Sequence, residues 1–175
     1  GNHDFSDLLR KIEPICRALS VPVLVKEVGW GIDLDTARKL LEVGVTVIDV
    51  AGAGGTSWAK VEMHRQPDPL KAAVNAAFGS WGIPTAQNLL ELQKLEGNPM
   101  LFASGGLRDG VDLAKALALG AKLGGFARKF LTAGNSGETE VINTIEIIKA
   151  QLKVAMFACG VGELKQWNMS CLEEA

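Results

Sequence analysis

Apolar residues in this chain fall into short, bounded runs that alternate with longer stretches of helical spacing. The first run, Val21-Pro22-Val23-Leu24-Val25-Lys26-Glu27-Val28, is rich in β-branched residues and stops at Gly29 and Gly31. It reads as a buried strand feeding a glycine turn. Ahead of it, Phe5 to Leu19 spaces its apolar positions roughly as a helix does, with Pro14 in the middle. Behind it, Asp33 or Asp35 can cap a helix over Thr36 to Val43, which Gly44 closes. The same order then recurs. Val45 to Val50 is a second strand and Ala51-Gly52-Ala53-Gly54-Gly55-Thr56-Ser57 its loop. A longer, irregular stretch through Trp58, Glu62, His64 and Pro67-Asp68-Pro69 reads as an insertion before a helix over Gln87 to Leu95. Met100 to Ser104 is a third strand with a loop at Gly105 to Gly110, and Val111 to Leu119 a helix. Lys122 to Ala127 is a fourth strand, and Thr139 to Ala158 is strongly helical.

Strands separated by helices predict parallel pairing, because only a crossover reaches a parallel neighbour. A closed eight-stranded barrel of this kind takes about 250 residues. Four units in 175 residues therefore mean an open sheet or about half of a barrel. Either way, ligands are expected at the carboxyl ends of the strands.

Composition narrows the function classes. With 47% hydrophobic and 22% charged residues the chain reads as globular. Eighteen basic against twenty acidic residues leave no cationic footprint for nucleic acid. No apolar run approaches the ~18 residues of a membrane span, and the opening residues lack a signal-peptide pattern, so a cytoplasmic protein is expected. Cys16, Cys159 and Cys171 are odd in number and widely spaced, the pattern of reduced structural cysteines. His3 and His64 are too few for a multi-histidine metal site.

The twenty glycines cluster where strands end. Gly105-Gly106, followed some twenty residues later by Gly124-Gly125-Phe126-Ala127, is similar to the paired phosphate clamp of the last two strands of a barrel, where amides and a helix N-terminus converge on an anion. Gly52 to Thr56 lacks the spacing of either nucleotide fingerprint, so nucleoside triphosphate hydrolysis is not supported. Its open backbone and the Thr56 and Ser57 hydroxyls suit a flat ring or a phosphate. Lys26, at the end of an apolar strand, needs an anionic or hydrogen-bonding partner, either a ligand or Glu27 or Asp49. Arg108 reads as a phosphate ligand or a solvated loop residue, and Glu62 and His64 as chemistry or surface. Trp30, Trp58 and Trp81, all beside glycine turns, are expected to cover a core edge.

Together these segments resemble the C-terminal half of type 2 isopentenyl-diphosphate isomerase, the flavin-dependent family of isoprenoid synthesis. The matching stretches are Pro22 to Gly29, Ile48 to Trp58, Trp81 to Ala86, and Ala103 to Arg108 continuing through Asp112 to Ala121. The resemblance implies that residues 1–175 form the C-terminal four βα units of a (β/α)8 TIM barrel that holds FMN. It places Lys26 near the flavin ring, Thr56 in the loop touching the cofactor, and Gly106, Leu107, Arg108, Ala127 and Arg128 around the FMN phosphate. It puts Trp58 and Glu62 close to ring and substrate, with Glu62 as the local acid/base candidate. It implies NADPH as reductant, Mg2+ with its protein ligand outside this chain, a small isoprenoid diphosphate as substrate, and a homo-oligomer of the complete enzyme. At Ala51 some relatives carry a serine that touches the flavin. The family's His-Leu-Asn-x-x-Gln-Glu segment, which meets substrate and magnesium, has no counterpart here, so the sequence is expected to start in mid-barrel and to be inactive alone. Two other readings stay open. One is an FMN-dependent oxidoreductase of the hydroxy-acid oxidase or glutamate synthase type, although the catalytic histidine of the former is absent after Thr56. The other is a non-catalytic half-barrel that binds phosphate.

Overall fold

Four short strands, each handing over to at least one helix, build a single parallel sheet in a computed structural model that describes residues 4–97 and 99–173. The order is α1 (Leu8–Ala18), β1 (Leu24–Lys26), α2 (Leu34–Glu42), β2 (Val47–Asp49), α3 (Trp58–Arg65), α4 (Pro69–Ala77), α5 (Thr85–Leu92), β3 (Met100–Ala103), α6 (Gly110–Ala118), β4 (Leu123–Gly124), α7 (Arg128–Ser136) and α8 (Glu138–Ala158). Two short 3₁₀ turns, Leu164–Gln166 and Met169–Cys171, follow. The sheet order is β1-β2-β3-β4, every pair parallel.

Register decides which residues share a face. Val25, Ile48 and Leu101 line up across three strands, and Ala103 beside Gly124 continues that face. Helices cover it: Ile48, Leu101 and Ala103 are buried with Ala37 and Leu40 of α2, Leu89 and Leu92 of α5 and Ala116 of α6. Each large side chain fully buried there contributes roughly 1.5–3 kcal/mol. Leu24, Val47 and Met100, then Lys26, Asp49, Phe102 and Leu123, line the opposite face. Among the described residues no helix closes that side over Leu24, Met100 and Leu123, which stay 43–49% exposed. A parallel sheet normally buries both faces. Helices on one side only are the wall of a (β/α)8 barrel, here four consecutive units.

The strands are shorter than their apolar runs. The run from Val21 to Val28 yields only Leu24–Lys26, because Pro22 has no N–H to give and Glu27 folds into its own turn. The run from Lys122 to Ala127 keeps two strand residues, since Gly125 N–H closes on the Ala103 carbonyl at 2.7 Å and the chain turns into α7, a helix not foreseen from the sequence. The irregular insertion is two helices. Ser57 caps α3 through Lys60 N–H, and Asp68 caps α4, where Pro69 opens the first turn. Asp33, not Asp35, caps α2. The three tryptophans at glycine turns do not cover a core edge: Trp30, Trp58 and Trp81 are 37%, 50% and 61% exposed, and the buried one is Trp167.

Candidate functional site

The loops at the carboxyl ends of the strands hold one another by backbone contact. Glu27 accepts hydrogen bonds from the N–H groups of Val28, Gly29 and Trp30 at 2.6–2.8 Å, which sets the turn after β1. Gly29, at φ +134°, brings that turn to the loop after β2, where a Cβ would lie 2.9 Å from the Thr56 carbonyl oxygen. Gly54 and Gly55 lie on Gly105 and Gly106. A Cβ on Gly106 would stand 2.5 Å from the Gly54 carbonyl carbon, and one on Gly55 would stand 3.0 Å from the Gly106 nitrogen. The sequence suggested glycines that let a ligand near the backbone; in the fold these glycines let two loops near each other.

Three polar side chains are buried among the described residues: Asp49, Thr85 and Asn88. All three end on loop backbone at this end of the sheet. Asn88 both accepts from Ile32 N–H (2.8 Å) and donates to Ile32 carbonyl (2.7 Å), tying α5 to the start of α2. Thr85 donates to the Ser104 and Gly105 carbonyls, at 3.2 and 2.6 Å. Asp49 accepts from Ala51 N–H, Ser104 N–H and Ser104 Oγ. Sequence reading passed over Thr85 and Asn88 and named Asp49 only as a partner for Lys26. Asn88 could have been found, because at helical spacing it shares a face with Leu92 and Leu95, where an unpaired amide has no place.

Lys26 is exposed at the end of β1, in register with Asp49, and its ammonium donates to the Glu27 backbone carbonyl at 2.8 Å rather than to either carboxyl group. Thr56 is exposed beside Gly29. Trp58 opens α3 and Glu62 stands one turn on. Glu62 is solvent-exposed, with Arg65 at 3.9 Å as its ion-pair partner. α3 packs chiefly on α4, so the two form an arm beyond the sheet.

Gly106 and Leu107 offer amides that donate to no acceptor among the described residues. Arg108 has a solvated side chain that pairs within its own turn. Its N–H donates to Asp112 Oδ2 at 3.0 Å, and its guanidinium grips the same carboxyl group, Nε at 2.8 Å and Nη2 at 3.2 Å. The Arg108 guanidinium in turn holds the Asp112 carboxyl below the usual carboxylate range. The Arg108 carbonyl accepts from Lys129 Nζ at 3.0 Å, which brings the first turn of α7 against the turn after β3. Ala127 and Arg128 begin α7, and no capping side chain or acidic residue occupies its N-terminus. α6 differs, because Asp109 already accepts from Val111 and Asp112 N–H. Of the two helix starts, α7 is the one left open to an anion. A groove of about 350 Å³ runs behind the turn after β3, lined by Pro84, Leu89, Gly106, Arg108, Lys115 and Leu119.

Free amides at Gly106 and Leu107 and an uncapped helix start at Ala127-Arg128 make a donor set that fits a phosphate monoester, the polar end of FMN. The chain belongs to the FMN-dependent dehydrogenase family, whose description it matches over residues 5–174. Within that class, it is 46% identical over 166 residues to the isopentenyl-diphosphate delta-isomerase of Oceanobacillus iheyensis, covering 95% of this chain and 48% of that protein. It is 47% identical over 163 residues to the enzyme of the same name from Synechococcus sp., covering 93% and 47%. The chain thus spans about half the length of the curated relatives it matches. In fold it is similar to an oxidised active mutant of (S)-mandelate dehydrogenase, with TM-score 0.72, 19% identity, and 97% of this chain on 41% of that one. It is also similar to an L230A mutant of flavocytochrome b2 with benzoylformate, with TM-score 0.69, 24% identity, and 95% on 38%. No helix of the described residues is long and apolar enough to cross a membrane.

Proposed function

We propose that residues 1–175 are the FMN-binding C-terminal half of a barrel enzyme that interconverts isopentenyl and dimethylallyl diphosphate. The 42–47% identity over about 95% of the chain to relatives named for that activity carries the reading. The FMN phosphate would sit between Gly106-Leu107 and Ala127-Arg128, on free amides and the start of α7. Arg108 serves it through its place in the turn, since its own N–H and guanidinium are engaged by Asp112. Lys26, on the uncovered sheet face, would stand near the ring edge, and its backbone-bound ammonium can turn to a new acceptor at small cost. Thr56, with Gly54 and Gly55, would border the ring. Trp58 and Glu62 on the α3–α4 arm would flank the substrate, Glu62 as the proton-carrying group. In its reduced form the bound cofactor supplies a proton-bearing nitrogen and an electron-rich ring face, which suit a double-bond shift through a cation-like transition state. NADPH as reductant, Mg2+ on the substrate diphosphate with its protein ligand outside this chain, a homo-oligomeric complete enzyme and a cytoplasmic location complete the proposal.

The family description and the mandelate dehydrogenase likeness favour a second reading, hydroxy-acid oxidation. The loop Gly52-Ala53-Gly54-Gly55-Thr56 carries no histidine to take a hydroxy-acid proton, which weighs against it. The deciding experiment supplies this chain with the N-terminal half of the Oceanobacillus iheyensis relative, reduced FMN and Mg2+. Formation of dimethylallyl diphosphate, absent with the chain alone, is expected. With oxidised FMN in place of reduced, dye reduction that depends on lactate or mandelate, together with no isomerisation, would replace the proposal with the oxidoreductase. Lys26→Met should weaken flavin binding about tenfold in the reassembled enzyme, while urea unfolding stays within about 0.5 kcal/mol of wild type, because among the described residues its ammonium bonds only an exposed backbone carbonyl.

A further inference from the structure

Two glycines in succession cannot hold a turn by themselves, because without side chains the backbone has many conformations open to it. Gly105 and Gly106, at φ +95° and +86°, form such a pair, yet the turn must present the Gly106 and Leu107 amides in one direction to hold an anion. What fixes it lies in the residues flanking the pair. From one side Thr85 Oγ1 donates to the Gly105 carbonyl. From the other, Ser104 is held twice by Asp49: its N–H donates to Oδ1 at 3.0 Å, and its hydroxyl lies 2.9 and 3.0 Å from the two carboxyl oxygens. Asp49 Oδ1 also accepts from Ala51 N–H at 3.2 Å. Ala51 sits at φ +37°, a left-handed conformation costly for a residue with a Cβ. One carboxyl group therefore braces the start of the loop after β2 and the start of the turn after β3, across strands 55 residues apart in sequence.

Asp49 is 8% exposed, and no lysine or arginine among the described residues lies within ion-pair distance of it. Lys26, its register neighbour, bonds elsewhere. A buried carboxyl group compensated only by hydrogen bonds is a poor device for packing, and an apolar residue would fill the space with less penalty. Its value lies in the two backbones it joins.

We propose that Asp49 is a positioning residue of the flavin site: its carboxyl group latches the turn after β3 to the loop after β2 and so aims the Gly106 and Leu107 amides at the phosphate of the cofactor. The proposal rests on the FMN reading, and its test separates the two. FMN and riboflavin, which differ only by the phosphate, are titrated by flavin fluorescence into wild type, Asp49→Asn, Asp49→Ala and Ser104→Ala, and amide hydrogen exchange is followed without flavin. Asp49→Ala should weaken FMN at least tenfold and riboflavin less than threefold. It should also speed exchange in 103–108 and 51–57 but not in α5. Asp49→Asn, whose amide oxygen still accepts from both N–H groups, should restore most of the FMN affinity. Ser104→Ala removes one donor without disturbing packing and should weaken FMN two- to fivefold, which keeps the test open if Asp49→Ala does not fold. Equal losses for the two flavins, or unchanged FMN affinity, would overturn the proposal, as would unchanged exchange. If wild type binds neither flavin even when the N-terminal half of the Oceanobacillus iheyensis relative is supplied, the FMN reading fails, and exchange alone then decides whether the latch exists.

Discussion

Removing the Asn88 side chain would strand both the N–H and the carbonyl of Ile32 inside the protein, since both are satisfied only by that amide. Each buried group left without a partner costs roughly 1–3 kcal/mol. Asn88→Ala should therefore lower the free energy of unfolding by about 2–4 kcal/mol in urea titrations, more than truncation of a leucine side chain at the exposed positions. Asp33 makes a smaller and pH-dependent contribution. Its carboxyl group accepts from Thr36 Oγ1 and from the N–H groups of Thr36 and Asp35, and these bonds hold it below the usual carboxylate range. A depressed folded-state value means stability that is present above the unfolded-state value and lost as pH falls through the folded one. Asp33→Ala should cost about 1 kcal/mol at pH 7, a modest figure because the cap is solvent-exposed. The difference from wild type should shrink below about pH 4, where the unfolded carboxyl group protonates, as chemical unfolding at the two pH values would show.

Among the elements, the Gly105-Gly106 turn tolerates no added side chain, since a Cβ on either glycine would meet the backbone of the loop after β2. At φ +86°, with the Gly54 backbone where its Cβ would go, Gly106→Ala should destabilise the chain by about 2 kcal/mol or more and abolish FMN binding, read by thermal unfolding and flavin titration. The turn itself was legible in the sequence, as a glycine pair that ends an apolar run. The α2, α5 and α6 helices were equally readable, each with an apolar stripe, and α2 and α6 with an aspartate cap besides. The segments that escaped were obscured by other signals: α4 spaces Leu70, Ala73, Val74 and Ala77 as a helix does, but it follows Pro67-Asp68-Pro69, which reads as irregular chain. α3, Trp58-Ala-Lys-Val-Glu-Met-His-Arg65, buries no residue fully and leans chiefly on α4, and Gly134 breaks the pattern of α7. The site's support escaped for a different reason. Asp49 meets Ser104 and Asn88 meets Ile32 across 55 and 56 residues, and a contact between distant segments leaves no mark in local spacing.

For the molecule as a whole, the governing fact is a sheet covered on one side. Leu24, Met100 and Leu123 face outward there, and β1 and β4 each have a single neighbour. Unpaired parallel edges beside apolar surface favour association. Sedimentation of the purified chain should show mass rising with concentration, and Met100→Lys together with Leu123→Lys should return it to a single-chain mass with little change in thermal unfolding, because neither side chain belongs to the buried core. The same bare wall bears on chemistry. Hydrogen bonds and charges at the strand ends act across water while that side stays open, and water dulls both. A flavin resting on this rim alone would keep a wet flank, where a carbocation-like species would be quenched by the solvent. On the proposed isomerase reading, a second half that covers Leu24, Met100 and Leu123 would contribute dryness before any catalytic group, so turnover should respond to that cover more steeply than cofactor affinity does.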